Sequence, residues 1–149
     1  TLGTAKRLFE NEANTLYRLG VHDQIPRLLA HFEQDNEFYL VQDYVEGTTL
    51  DTELVVGRQF NELAVILMLQ DVLQVLAFVH EQKVIHRDIK PANLIRRFRD
   101  SKIVLIDFGA VKEVNHVTGL PVDQTSMTVA IGSPGYMPVE QQCFKPQYS

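Results

Sequence analysis

The sequence has little of what several classes of protein require. Its 149 residues contain a single cysteine, Cys143, which excludes an intrachain disulfide, and no group of cysteine and histidine has the spacing of a zinc site. The longest uninterrupted apolar run, LAVILML at 63–69, is far shorter than the roughly 20 residues that span a bilayer. We therefore expect a cytoplasmic protein with no membrane segment in this portion.

An excess of positive charge is also missing. The chain has 14 lysine and arginine residues against 19 aspartate and glutamate residues, and its net charge of -5 argues against a broad electrostatic surface for nucleic acid. We expect no nucleic-acid partner. The sequence begins without an initiator methionine or a signal-peptide pattern, so we interpret it as a portion of a longer chain.

The apolar pattern predicts helices mixed with short strands, an α+β fold. Apolar residues at spacings of three and four predict a helix over 5–19, and branched and aromatic residues predict strands at 25–32 and 37–45, joined by the polar turn EQDN. The strand pattern breaks at 47–49. Asn61 is suited to cap a long helix that ends near residue 82, and its almost uniformly apolar start predicts a buried position.

Short segments rich in branched residues follow that helix. They lie at 84–85, 93–95 and 102–106, separated by turns. Residues 109–146 are interrupted by glycine and proline and are predicted to form a long loop, a feature that is often functional.

The segment VIHRDIKPANLI at 84–95 is unusually dense in polar side chains. Asp88 lies in its turn, Lys90 follows two residues later and Asn93 five residues later, and Asp107 ends an apolar strand further on. An acid and an amide from adjoining loops would form an oxygen-rich site suited to Mg²⁺. Because Asp88 is left to orient a hydroxyl and Lys90 supplies a cation, the set fits phosphoryl transfer.

These motifs closely resemble the eukaryotic-like (Hanks-type) serine/threonine protein kinase family, and its cyanobacterial members in particular. HRDIKPAN at 86–93 resembles the catalytic loop of the family, and DFG at 107–109 resembles its metal-binding motif. LFENEANTLYRLG at 8–20 looks like the αC helix, FYLVQDYVEG at 38–47 like the fifth strand and hinge, and IGSPGYMPVEQ at 131–141 like the end of the activation segment.

The resemblance implies a partial protein-kinase-like domain over residues 1–149. Residues 1–45 would supply the αC helix, strands four and five of the small lobe and the hinge. Residues 46–149 would supply the first half of the helical large lobe, with the catalytic loop and activation segment. The glycine-rich loop and the third-strand lysine of the family would precede residue 1, so we expect this chain alone to be inactive.

The resemblance also implies roles for individual residues. It implies a catalytic set in which Asp88 is the base, Lys90 contacts the transferring phosphate and Asn93 binds the metal together with Asp107. The metal would be Mg²⁺, with Mn²⁺ as an alternative, and the partners would be ATP and a protein that presents serine or threonine. The implied ATP contacts are Glu12 of the αC helix, the gatekeeper Gln42, the backbone of Asp43 and Val45 in the hinge, Ile95 at the floor of the pocket, and Asp107.

A regulatory role is implied for four further residues. By the same resemblance, Arg87 and Lys112 would face one another, and a phosphate on Thr125 or Thr128 would pair with both and order the loop. The alternative is an ordinary solvated loop.

Two functions of different classes stay open at this point. The first is an ATP-dependent serine/threonine kinase, and the second is a pseudokinase-like or regulatory binding module that keeps the fold without turnover. The presence of Asp88, Lys90, Asn93 and Asp107 together favours the first. A small-molecule kinase of related fold would not be expected to combine Lys90 with the segment at 132–141.

Overall fold

The computed structural model describes residues 2–54, 59–109, 112–113, 133 and 135–137. Its elements mix helix and strand, as the sequence predicts. In chain order they are α1 (Leu2–Leu19), β1 (Leu28–Gln34), β2 (Glu37–Gln42), β3 (Gly47–Thr49), α2 (Leu50–Leu54), α3 (Glu62–Glu81), β4 (Val84–Ile85), a 3-10 turn (Pro91–Asn93), β5 (Leu94–Arg97), β6 (Ile103–Leu105) and β7 (Lys112–Glu113).

Helix α1 packs against an antiparallel hairpin of β1 and β2. The ring of Phe9 in α1 stacks on that of Phe38 in β2, with ring centres 4.9 Å apart. The hairpin turns at Asp35 and Asn36, which both have positive φ, as a two-residue turn of type I′ requires. The predicted turn is confirmed, but β1 lies two to three residues later than predicted because the segment around Pro26 belongs to the preceding loop.

The break predicted at 47–49 is wrong, because these residues form β3. This strand pairs with β5, which pairs in turn with β6, all antiparallel. Glycine is required at position 47 by the close approach of the strands: a Cβ there would lie 2.4 Å from the carbonyl oxygen of Arg96. Three-residue strands carry too little periodicity to be detected from sequence.

Helix α3 begins at the predicted cap, where the side-chain oxygen of Asn61 accepts a hydrogen bond from Ala64 N at 2.8 Å. The predicted burial of the helix is wrong over its first half. Val72, Val75 and Val79 are buried in the core with residues of α1, β4 and β6. Five apolar side chains of α3 are more than 40% exposed: Leu63, Ile66, Leu67, Leu69 and Leu73.

The apolar character of α3 also bears on the expected absence of a membrane segment. By length and composition alone, α3 is long and apolar enough to cross a membrane. Of its most apolar 18-residue stretch, 17% is buried. In α3 the apolar run at 63–69 continues beyond Gln70 and Asp71 with further apolar residues up to Val79. The three buried valines nevertheless fix one face of α3 to the core.

Strand β4 pairs with β7, with Val84 opposite Glu113 and Ile85 opposite Lys112. The predicted loop at 109–146 therefore contains a short strand near its start. The rest of that predicted loop, apart from residues 109, 133 and 135–137, lies outside the described residues.

Candidate active site

The hairpin of β5 and β6 brings Asn93 next to the segment that leads to Asp107. Leu94 pairs with Leu105 across the two strands, and Ile106 N donates to Asn93 O at 3.0 Å. Asp107 has a φ of 62°, and its Oδ1 accepts a hydrogen bond from Gly109 N at 3.3 Å. Asn93 directly precedes β5, and Asp107 lies two residues after β6. The amide and the acid that are predicted to share a site therefore lie at the same end of the hairpin.

Three side chains contact the carboxylate of Asp88. Asn93 Nδ2 donates to the main-chain oxygen of Asp88 at 2.9 Å and to its Oδ2 at 3.1 Å. Lys90 Nζ lies 3.4 Å from Oδ2, and Ser133 Oγ donates to Oδ1 at 2.8 Å. Lys90 Nζ also donates to Ser133 Oγ. The predicted catalytic residues Asp88, Lys90 and Asn93 are therefore in mutual contact, and Ser133 joins them.

The surroundings of Asp88 favour its charged form. Burial by itself would raise the pKa of this carboxyl group, but the hydrogen bond from Ser133, the charge of Lys90 and the hydrogen bonds from Lys90 and Asn93 outweigh burial. The pKa of Asp88 consequently lies below its ordinary value. An ionised carboxylate at neutral pH is able to accept a proton.

His86 is a structural residue that orients the loop. Its Nδ1 accepts a hydrogen bond from Asp88 N at 3.2 Å, so its Nε2 carries the proton and donates to Ile106 O at 3.1 Å. The ring packs edge to face on Phe108, and it is 1% exposed. Burial lowers the pKa of His86, although the Ile106 carbonyl and the charges of Asp107 and Asp88 oppose the shift. The histidine thus links the loop of Asp88 to the strand before Asp107.

The lowered pKa of His86 predicts that the protein loses stability in mild acid. In the unfolded chain His86 takes up a proton near its ordinary pKa of 6.5, whereas the folded protein keeps the ring neutral to a lower pH. The free energy of unfolding should therefore decrease as pH falls below about 6.5. Thermal melts between pH 5 and 7.5 measure this decrease.

Two histidine variants make that test specific. Burial also lowers the pKa of His22, so the informative quantity is the difference between wild type and His86→Asn. His86→Asn should be less stable at pH 7.5 and should lose less stability on acidification, whereas the exposed control His80→Asn should follow the wild type. Equal pH slopes for wild type and His86→Asn would show that His86 is not the titrating group.

Helix α1 brings Glu12 to the same region. A Cβ on Gly109 would lie 3.6 Å from Glu12 Oε1 and 3.7 Å from Oε2, so the carboxylate lies against the backbone that follows Asp107. Burial raises the pKa of Glu12, and the negative charge of Asp107 raises it further. Two acids that approach in this way would be stabilised by a cation between them.

The predicted gatekeeper is the last residue of β2, and the predicted hinge residues Asp43 and Val45 follow this strand. Gln42 ends this strand opposite Leu28, and both Gln42 and Val45 are partly buried. Asp43 N donates to Arg27 O at 3.0 Å, and the side chains of these two residues form an ion pair with a shortest distance of 3.2 Å. The backbone N–H of Asp43 is thus already paired with Arg27.

Ile95 lies in the middle strand of the three-stranded sheet. It pairs with Thr49 of β3 on one side and with Val104 of β6 on the other, and it is partly buried. It is two residues from Asn93, so a position in the floor of a nucleotide pocket is compatible with the fold.

The predicted regulatory residues are only partly described. Arg87 has a φ of 67° and is partly buried, and burial lowers its pKa. The backbone of Lys112 in β7 pairs with that of Ile85. Ile85 in turn lies two residues before Arg87. Thr125 and Thr128 lie outside the described residues.

The contact of Ser133 with Asp88 is not among the predictions from sequence. The two residues are 45 positions apart, and a serine in a glycine- and proline-rich segment has no local signal of such a contact. The resemblance of its segment to the end of an activation segment predicts Ser133 as a substrate-site residue, but it does not predict the hydrogen bond to Asp88.

The side chains present fit a divalent cation that is shared with phosphate. Within the described ranges, no cluster of three or more histidine, cysteine, aspartate or glutamate residues is suited to hold a metal by itself. Mg²⁺ is usually bound by one or two carboxylates together with substrate phosphates and water. The Asp107 carboxylate meets that requirement, and Asn93 can add its side-chain oxygen because its nitrogen is the atom that donates to Asp88.

Comparison with known proteins gives the family of the chain. The family model for the protein kinase domain matches residues 3–144. Serine/threonine-protein kinase B of Synechocystis sp. is 51% identical over 148 residues, which cover 97% of this chain and 26% of that protein.

Two further relatives are also cyanobacterial. Serine/threonine-protein kinase PknA of Nostoc sp. is 46% identical over 142 residues, covering 95% of this chain and 25% of the relative. Serine/threonine-protein kinase C of Synechocystis sp. is 44% identical over 142 residues, covering 95% of this chain and 26% of the relative. The chain thus spans about a quarter of the length of these curated relatives.

Proposed function

Because the chain belongs to the protein kinase family, we propose that the protein transfers the γ-phosphoryl group of ATP to serine or threonine hydroxyls of protein substrates in the cytoplasm. The family uses ATP and a divalent metal. The names of the cyanobacterial relatives support the serine/threonine class. The observation that carries the proposal is the Asp88 carboxylate, hydrogen-bonded to Asn93 and Ser133 and 3.4 Å from Lys90 Nζ.

In this proposal Asp88 orients the substrate hydroxyl and accepts its proton. The hydroxyl oxygen forms a bond to the γ-phosphorus while the bond from that phosphorus to the bridging oxygen of ADP breaks. The lowered pKa of Asp88 keeps the carboxylate ionised before the reaction. Lys90 shares Ser133 with Asp88, and this proximity supports a role for its ammonium group beside the transferring phosphoryl group.

We assign the metal site to Asn93 and Asp107, with Mg²⁺ as the ion and Mn²⁺ as its substitute. A bound divalent ion supplies the positive charge that neutralises the phosphates. We assign the ATP pocket to Gln42, the backbone of Asp43 and Val45, and Ile95. The partly buried positions of Gln42, Val45 and Ile95 support this assignment.

Phosphoamino-acid analysis tests the proposal. The full-length protein is incubated with ATP labelled in the γ-phosphate and a mixture of protein substrates, and the labelled products are hydrolysed. Label should appear in phosphoserine and phosphothreonine. Lys90→Ala should lower the rate of labelling on the order of 10²-fold or more, since it removes a charge beside the transferring group.

Lys102→Ala is the matched control, because Lys102 is exposed on the turn between β5 and β6. It should label substrates at the wild-type rate. Nucleotide binding without any transfer would favour the pseudokinase-like alternative, and label in phosphotyrosine alone would contradict the serine/threonine class.

A further inference from the structure

Strand β6 is an edge strand, yet three of its outer backbone groups are paired. The sheet order is β3-β5-β6, so the side of β6 that faces away from β5 has no neighbouring strand among the described residues. Leu105 N donates to the main-chain oxygen of Gln24 at 2.9 Å. The side chain Nε2 of Gln24 donates to Ile103 O at 2.8 Å, and Asp71 Oδ2 accepts from Ile103 N at 3.2 Å. Gln24 in the loop after α1 and Asp71 in α3 thus pair with the outer edge of β6 in place of a strand.

The burial of Gln24 indicates that this pairing is specific. Gln24 is only 2% exposed, and a buried amide is costly unless it is hydrogen-bonded. Both donors of Nε2 are used, because it also donates to the main-chain oxygen of Asp71 in α3 at 3.0 Å. Gln24 and Asp71 therefore connect the loop after α1, helix α3 and strand β6 through one buried network.

The network is attached to the strand that leads to the proposed metal ligand Asp107. Leu105, which donates to Gln24, is two residues before Asp107. Gln24 itself follows α1, the helix that carries Glu12, by only five residues. A displacement of the outer edge of β6 would therefore move the end of the strand from which Asp107 projects.

We propose that Gln24 and Asp71 form a clamp on the outer edge of β6 and that this clamp positions Asp107 for metal binding. Gln24 and Asp71 are positioning residues, since they act through β6 and touch neither nucleotide nor metal. The inference rests on the proposed function, because the metal role of Asp107 belongs to it.

Gln24→Met tests the clamp, since methionine keeps the size of the side chain and removes both donors. In the full-length protein the apparent affinity for Mg²⁺ in nucleotide binding should fall by up to about tenfold, the lower end of the loss caused by removal of a direct partner of a metal ligand, since Gln24 acts through β6. Nucleotide binding without Mg²⁺ should stay close to that of the wild type, because Gln24 and Asp71 are not among the residues assigned to the ATP pocket. Amide hydrogen exchange at Ile103 and Leu105 should become faster.

Three further variants separate positioning from simple stability. Gln34→Met makes the same chemical change at the exposed end of β1 and should leave Mg²⁺ affinity unchanged. Asp71→Asn keeps an oxygen for Ile103 N and should resemble the wild type, whereas Asp71→Leu should resemble Gln24→Met. If Gln24→Met does not fold, the same test is made on Asp71→Leu, by measuring its Mg²⁺ affinity and its amide exchange at Ile103 and Leu105.

The outcomes distinguish the clamp from the proposed function. Faster exchange at Ile103 and Leu105 with unchanged Mg²⁺ affinity would overturn the clamp and leave only a structural cap on β6. Unchanged Mg²⁺ affinity in Asp107→Asn would instead refute the metal assignment in the proposed function.

Discussion

Asp88→Asn in the full-length protein should reduce phosphoryl transfer by a factor on the order of 10²–10⁴, the contribution of a positioned general base. Asparagine cannot accept the proton of the substrate hydroxyl, and it loses the charge that pairs with Lys90 at 3.4 Å. Nucleotide binding should change little, because Asp88 is assigned to the hydroxyl and not to the metal. Turnover and ATP binding measured on the same preparation check both statements.

Asp35→Asn is a suitable control for that variant. Asp35 lies in the turn between β1 and β2 with a φ of 53°, a conformation that asparagine adopts readily. It should transfer phosphate at the wild-type rate. A folded Asp88→Asn protein with near-normal turnover would exclude Asp88 as the base.

Asp107→Asn should abolish most of the Mg²⁺ dependence of nucleotide binding and, with it, most of the transfer activity. The change replaces a charged oxygen ligand by a neutral one, and Mg²⁺ sites depend on carboxylate charge. The affinity for Mg²⁺ should fall by at least about 10–100-fold, since even the loss of a partner behind a ligand costs that much. Isothermal titration of nucleotide across a series of Mg²⁺ concentrations measures this loss.

Removal of the negative charge of Asp107 should also act on Glu12. The charge of Asp107 contributes to the raised pKa of Glu12, so the pKa of Glu12 should move back toward its ordinary value in Asp107→Asn.

A wild-type Mg²⁺ response in a folded Asp107→Asn protein would contradict the metal assignment.

The proximity of Asp88, Lys90 and Asn93 could be predicted from sequence because they lie in one short motif. Asp88, Lys90 and Asn93 fall within six positions, and backbone geometry alone keeps them close. The resemblance to serine/threonine kinases that these motifs carry is confirmed by the family match and by the cyanobacterial relatives. The α1 helix and the β1–β2 turn were predictable for a similar reason, since their signals are local.

The contacts between distant segments could not be predicted in this way. Strands β3 and β7 have three and two residues, which is too few for an alternating pattern. The exposure of Leu63 and Leu67 depends on which elements pack against α3, and composition does not specify those elements. The pairing of Gln24 with β6 spans 79 positions, and in sequence Gln24 resembles an ordinary polar loop residue.

The measurement that tests the division of roles most directly is nucleotide titration with and without Mg²⁺ on the wild type, Asp88→Asn and Asp107→Asn. If Asp107 binds the metal and Asp88 serves the hydroxyl, Mg²⁺ should tighten nucleotide binding equally in the wild type and in Asp88→Asn, and should have little effect in Asp107→Asn. Equal tightening in both variants, or its loss in both, would contradict the assignment of separate roles to the two acids.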